Sequence, residues 1–62
     1  MYKIKEAREQ EGLTQEQLAQ KANVSRTIIS GLESGEAKVT TTETLRKIAD
    51  ALNCRVSEIF LE

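Results

Sequence analysis

The sequence predicts an all-α domain of five short helices. Proline is absent and only three glycines occur among the 62 residues, so residues that break helices are rare. Apolar residues recur three or four positions apart, and no alternating apolar–polar run has the length of a strand. Glycine and asparagine residues separate the apolar stretches at short intervals. A chain of this length forms one domain with one small core, so we treat residues 1–62 as a single unit.

The first two helices are marked by a stop signal and a start signal. The first covers about residues 2–11 and ends at Gly12. The second covers about residues 15–22, where Thr14 and Gln17 fit the two ends of a capping box. The expected inward side chains are Ile4 and Ala7 in the first helix and Leu18, Ala19 and Ala22 in the second.

A very short turn separates the second helix from the third. Asn23 suits such a turn, because asparagine tolerates a positive φ better than most residues. The third helix starts from an N-cap at Ser25, runs to about Ser34 and is closed by Gly35. Val24, Ile29 and Leu32 are expected to pack between the helices.

The fourth helix begins near Thr40 or Thr41, and Thr40 with Glu43 forms another possible capping box. Asn53 ends this helix in a position suited to a left-handed conformation. Residues 56–61 are expected to form a short fifth helix. The apolar residues of these two helices are Leu45, Ile48, Ala49, Leu52, Ile59 and Phe60.

The sequence lacks the residues from which catalytic and metal sites are usually built. There is no histidine and only one cysteine, so the common Ser–His and Cys–His nucleophile pairs and the usual structural zinc sites are excluded. No glycine-rich phosphate loop is present. We therefore expect a protein that is not an enzyme, with no metal, no cofactor and no evident small-molecule ligand.

The compartment is suggested by what the sequence lacks. The single cysteine, Cys54, cannot form an internal disulfide, which fits a reducing environment. No apolar stretch approaches the roughly 20 residues that span a membrane, and the first residues contain no apolar signal-peptide core. The expectation is a cytoplasmic protein with no membrane partner.

Three segments in order carry a resemblance to a known family. GLTQEQLA at residues 12–19, VSRTIISGLESG at residues 24–35 and LRKIADAL at residues 45–52 resemble segments of the Cro and phage-repressor (XRE-type) helix-turn-helix family. The resemblance implies a lambda-repressor-like fold in which helices 2 and 3 form the helix-turn-helix. It also implies a sequence-specific transcriptional regulator, repressor-like, that binds double-stranded DNA with residues of about 25–34 in the major groove.

The resemblance places candidate base contacts at the start of the third helix. Arg26 can pair with guanine and the Thr27 methyl can meet a thymine methyl, although both could also be ordinary surface residues. Ser30, one turn further on, suits either a base contact or solvent. Gly31 lies where the family often carries a base-reading side chain, so it either admits a close backbone approach or reads nothing.

Other residues are candidates for the DNA backbone. The resemblance implies that Gln15 holds a phosphate at the N-terminus of the second helix. Ser25 and Ser34 could donate to phosphates, although capping alone would explain both. Lys38, in the polar loop after the third helix, is the cation best placed to follow the backbone, and the alternative is a mobile loop lysine.

Two further expectations concern structure and assembly. Family members often join the first helix to the end of the third by an ion pair, for which Arg8 and Glu33 are the candidates. Four apolar residues near the C-terminus exceed what so small a core can absorb, and exposed apolar area often marks an interface. A homodimer is therefore expected through Val56, Ile59, Phe60 and Leu61.

The charge balance argues mildly against DNA binding. Nine basic residues face ten acidic ones, for a net charge of −1, whereas phosphate neutralisation supplies much of the affinity of DNA-binding proteins. An antitoxin-like or adaptor module on the same fold is the main alternative, and a purely structural bundle is a third. A positive patch around Arg26, Gln15 and Lys38 would favour DNA, whereas a broad apolar patch at the start of the third helix would favour a protein partner.

Overall fold

The computed structural model describes residues 2–36 and 41–59, and five α-helices account for most of them. This arrangement confirms the predicted all-α class. In chain order the helices are α1 (Ile4–Gln10), α2 (Gln15–Ala22), α3 (Arg26–Ser34), α4 (Thr42–Ala51) and α5 (Val56–Ile59).

The signals predicted around the first two helices are present. Glu11 is the C-cap of α1, and Gly12 follows in the left-handed region with φ 70°. At the start of α2, the Thr14 Oγ1 accepts from the backbone N–H of Gln17 at 3.0 Å, and the Gln17 Oε1 accepts from the N–H of Thr14 at 2.9 Å. This capping box satisfies N–H groups that the helix itself cannot bond.

The turn between α2 and α3 also follows its sequence signals. Asn23 has φ 57°, and the N–H of Val24 donates to the Ala19 carbonyl at 3.0 Å. The Ser25 hydroxyl caps α3 by accepting from the N–H of Ile28 at 3.3 Å. Gly35 closes the helix with φ 87°. The turn therefore places α3 across α2 without any strained bulky residue.

One detail of the fourth helix differs from the prediction. Thr41 is the N-cap, and its hydroxyl accepts from the N–H of Thr44 at 3.1 Å. Glu43 is consequently the second helical residue, so the capping box expected between Thr40 and Glu43 is wrong. Asn53 has φ 56° just after the C-cap Leu52, as predicted.

The core lies where α1, α3 and α4 meet around α2. Helix α2 packs against both α3 and α4, while α1 contacts α3 and α5 contacts α4. Burying a large aliphatic side chain stabilises the fold by about 1.5–3 kcal/mol. The largest fully buried side chains are Ile4, Leu18, Ile29, Leu32, Ile48 and Ile59. None of the helices described here has the length and apolar character needed to cross a membrane.

The C-terminal helix corrects part of the expected dimer interface. Ile59 is completely buried, and its carbonyl accepts from the N–H of Lys3 at 2.8 Å. Val56 is partly buried against the same core. Ile59 was therefore wrong as an interface residue, because its side chain is used inside its own domain. Phe60 and Leu61 lie outside the described residues.

Candidate nucleic-acid interface

Helix α3 has one face in the core and one face in solvent. Ile29 and Leu32 are buried, three residues apart on the inner side. Arg26, Thr27 and Ser30 are exposed on the outer side. A helix of nine residues with this division presents a short polar face while its apolar face is held by α1 and α2.

An ion pair fixes the last turn of α3 against α1. The Arg8 Nε donates to the Glu33 Oε2 at 2.8 Å, and the Arg8 Nη2 donates to the Glu33 Oε1 at 3.1 Å. The Arg8 Nη1 also donates to the Leu13 carbonyl at 2.7 Å. The two side chains are only 11% and 5% exposed. The expected Arg8–Glu33 pair is thus present, with the bidentate geometry that gives such pairs their strength.

The Arg8 guanidinium keeps its charge in this pair. The hydrogen bond that it donates to Glu33, together with the carboxylates of Glu33 and Glu9, raises the pKa of Arg8 further above its ordinary value, despite the opposing effect of burial. Arginine is already cationic across the whole range in which proteins fold. The Arg8 guanidinium therefore stays charged and paired, which suits a structural role.

Gln15 takes part in the same cluster. Its side-chain Nε2 donates to the Glu33 Oε1 at 3.1 Å, and the side chain is only partly exposed. Sequence reasoning assigned Gln15 to phosphate contact and missed this hydrogen bond, because the two residues are 18 positions apart. The first turn of α2, where Gln15 lies, carries the backbone N–H groups that a helix N-terminus offers to an anion.

The outer face of α3 forms a shallow depression of about 550 Å³. The described residues that line it are Arg26, Thr27, Ser30, Gly31 and Glu36. Four of them are candidates that the sequence singled out, and the fold brings them together. Glu36 was missed, because it follows the helix and no sequence pattern distinguishes it from other surface acids.

The two serines expected near phosphates act as caps within the protein. Ser25 caps the start of α3 through its contact with Ile28. The Ser34 Oγ donates to the Gly31 carbonyl and accepts from the N–H of Glu36, both at 3.3 Å. Both serines are exposed, so a phosphate oxygen could still reach them. Lys38 lies outside the described residues.

The start of α3 exposes one cation and one large hydrophobic side chain among the described residues. Arg26 is exposed, and within the described ranges its guanidinium has no hydrogen-bond or ion-pair partner. Among the described residues, Ile28 is the exposed large hydrophobic side chain, at 37% exposure. A single exposed side chain of this kind is ordinary and does not make the broad apolar patch of a protein-docking surface.

Cys54 lies away from α3, in a second depression that α1 shares with the segment around α5. Burial raises the pKa of its thiol, and the carboxylates of Glu58 and Glu11 raise it further. Because the thiolate is the nucleophilic form, a raised pKa makes this thiol less reactive at neutral pH.

Comparison with known proteins agrees with this arrangement. A family model described as helix-turn-helix matches residues 4–59, a stretch that begins with α1 and ends with α5. No curated protein matches the chain.

Proposed function

Because the chain belongs to the XRE/Cro-type helix-turn-helix family, and is thus a DNA-binding domain, we propose that it is a sequence-specific, repressor-like transcriptional regulator. In this proposal α3 enters the major groove of duplex DNA and its N-terminal residues contact base edges. The observation that carries the proposal is the exposed polar outer face of α3, held by a buried ion pair at the other end of the helix.

Each exposed side chain at the start of α3 suits a particular base edge. The guanidinium of Arg26 can donate two hydrogen bonds to the O6 and N7 of guanine. Thr27 can place its methyl group against that of thymine, and Ser30 can donate or accept. None of these three side chains is needed by the core, since all are exposed. These three side chains can therefore contact bases without any change in the core packing.

Phosphate contacts would set the position of the helix on the duplex. The N-terminus of α2 offers backbone N–H groups and the positive end of a helix dipole, with Gln15 as its first residue. Lys38, four residues after the end of α3 in the sequence, would supply a cation. These contacts carry no sequence information themselves, but they fix the register in which Arg26 meets the bases.

We further propose that the protein binds as a homodimer on a two-fold symmetric site. A recognition helix of nine residues reads only a few base pairs, and the net charge of −1 limits the affinity of one copy. Two linked half-sites about one DNA turn apart would raise the affinity through effective concentration. Sedimentation at micromolar concentration, alone and with DNA, tests this. If the wild type is monomeric and Phe60→Asp leaves operator binding unchanged, the C-terminal interface is ruled out.

The main experiment is selection of bound sequences from a random duplex library. We expect enrichment of a short motif, with two inverted copies if the dimer forms. A duplex carrying that motif should then compete against random duplex at matched salt concentration. Equal binding of selected and random DNA would contradict sequence-specific function.

The repressor-like role needs a separate measurement. The selected site is placed across a promoter, and transcription in vitro is measured with increasing protein. Occupancy should lower the transcript level, whereas a rise would indicate an activator. A promoter with a scrambled site is the matched control, because it retains non-specific binding.

A protein-interaction module is less well supported by the surface. An adaptor would need a connected apolar area near the start of α3, but Ile28 is the large hydrophobic residue exposed there among the described residues. The depression on the outer face of α3 is lined by charged and hydroxyl side chains, which can hydrogen-bond to base edges. We therefore give DNA as the partner of this face.

A further inference from the structure

The depression on α3 is bordered by two opposite charges that do not pair with each other. Arg26 and Glu36 both line it, yet within the described ranges no ion pair joins them. Neither the guanidinium nor the carboxylate has another side-chain partner among those residues. Both residues are exposed and line the depression, where a ligand would meet them.

The backbone holds Glu36 close to the recognition helix. Gly35 takes φ 87° and donates its N–H to the Gly31 carbonyl at 3.1 Å, which turns the chain at the end of α3. The N–H of Glu36 then donates to the Ser34 hydroxyl, which itself donates to the Gly31 carbonyl. These hydrogen bonds join the backbone of Glu36 to the last turn of α3.

A carboxylate in this place has a cost that demands an explanation. It repels phosphates, in a chain whose net charge is already −1, so it weakens binding to any DNA sequence. It contributes no side-chain contact to the described fold that would offset this cost. Reading of a base could offset it, because glutamate accepts a hydrogen bond from the N4 amine of cytosine in the major groove.

Gly31 gives a base edge room to reach both charges. It lies in the same depression and has no side chain, so nothing projects from this position of α3. A guanine–cytosine pair presents two acceptors on guanine and one donor on cytosine in the major groove. This pattern complements a guanidinium and a carboxylate that border the same depression.

We infer that Glu36 is a specificity-determining residue that accepts a hydrogen bond from the N4 amine of a cytosine, in the half-site that Arg26 contacts through guanine. The inference rests on the proposed function and refines it, because it names the chemistry that the site selects. It also assigns a role to Gly31, which is to leave space for that base pair.

The test uses the duplex that the wild type selects and the full chain. Affinity is measured for that duplex, for its single base-pair replacements and for random duplex, with wild type, Glu36→Gln and Glu36→Ala. Glutamine keeps an acceptor oxygen and loses the charge, whereas alanine loses both. Glu6→Gln is the matched control, since Glu6 is an exposed acid that lines the other depression. A thermal melt confirms that each variant is folded.

We expect Glu36→Ala to lose, on the order of tenfold, the preference for cytosine at one position. Glu36→Gln should keep much of that preference, and both variants should bind random duplex more tightly than Glu6→Gln does. When the cytosine of the selected duplex is replaced by an analogue without the N4 amine, the affinity of the wild type should fall. The affinity of Glu36→Ala should not change.

Two results would overturn the inference in distinguishable ways. If Glu36→Ala and Glu36→Gln strengthen binding to selected and random duplex equally, with every base preference intact, Glu36 acts only through its charge. If the wild type selects no sequence at all, the proposed function fails and takes the inference with it.

Discussion

An arginine and a glutamate occur together twice around helix α3, in opposite states. Near its C-terminal end, Arg8 and Glu33 form a bidentate pair whose side chains are 11% and 5% exposed. On its outer face, Arg26 and Glu36 share a depression and are exposed and unpaired among the described residues. Paired and buried charges fix the position of the helix, whereas unpaired and exposed charges remain available for recognition.

In a domain this small, different charged residues serve stability and the proposed binding. Taking a charge out of water is costly unless its partner and hydrogen bonds are present, so the inner pair is sensitive to the loss of either member. The outer charges are already solvated, so removing one changes the fold little. Substitutions in the buried pair and in the exposed pair should therefore affect different measurements.

The largest effect is expected from Glu33→Ala. It leaves the Arg8 guanidinium nearly buried without its carboxylate and removes the acceptor of the Gln15 amide. We expect a loss of about 3 kcal/mol in unfolding free energy, or roughly 10–20 °C in Tm. Thermal and urea unfolding monitored by circular dichroism would measure it.

The control for this prediction is the exposed pair of Glu43 and Lys47. These groups are 3.8 Å apart on the surface of α4. Glu43→Ala should change the stability by less than about 0.5 kcal/mol, as is usual for exposed pairs one helical turn apart. Equal losses for Glu33→Ala and Glu43→Ala would mean that burial does not strengthen the Arg8–Glu33 pair.

Arg26→Ala should show the reverse pattern. It should cost about 1–3 kcal/mol in binding to the selected duplex and relax the preference at one base position. The unfolding free energy should stay within about 0.5 kcal/mol of the wild type, because the side chain is exposed and unpaired in the described structure. Titrations with selected and random duplex at one salt concentration provide the binding measurement.

Lys38→Ala is the useful companion to Arg26→Ala. If Lys38 contacts phosphate alone, its loss should weaken binding to every DNA sequence by a similar factor and should reduce the dependence of binding on salt. If both variants bind selected and random duplex more weakly by one common factor, Arg26 contacts only the DNA backbone.

A smaller effect tests whether the turn after α3 belongs to the binding region. Gly12 and Gly35 both have positive φ, 70° and 87°, and a Cβ at either would meet nothing within 4 Å. Alanine at either position should thus cost about 1 kcal/mol through backbone strain alone. Unfolding should be similar for Gly12→Ala and Gly35→Ala, but only Gly35→Ala should alter base preference, since it moves Glu36. If the two variants have identical base preferences, the turn after α3 takes no part in recognising the DNA sequence.

The smallest effect concerns Gln15, which donates to Glu33 and is also the proposed phosphate contact. Gln15→Ala removes one hydrogen bond to Glu33, which is worth about 1 kcal/mol of stability. If Gln15 also contacts phosphate, DNA affinity should fall for selected and random duplex alike. A stable variant with reduced affinity would show that the Glu33 contact contributes little and that the phosphate role dominates.

Local sequence signals predicted most of the helix ends. The capping box at Thr14, the cap at Ser25 and the turns at Asn23 and Gly35 depend on neighbouring residues and were predicted correctly. The start of α4 was less well determined, because consecutive threonines offer equivalent caps. The structure selects Thr41, which places Thr44 where Glu43 was expected.

The sequence by itself determined the class, the helix order and which face of α3 is apolar, since these follow from the spacing of apolar residues and the chemistry of caps. The spacing of residues did not determine which charges pair, and the Arg8–Glu33 pair was expected only from the family resemblance. The tertiary structure placed Glu33 against Arg8 and Gln15, 25 and 18 residues away, and buried Ile59 inside the core. It also placed Glu36 in the same depression as Arg26. Such contacts depend on how helices cross, and no local pattern encodes the distance between residues on different helices.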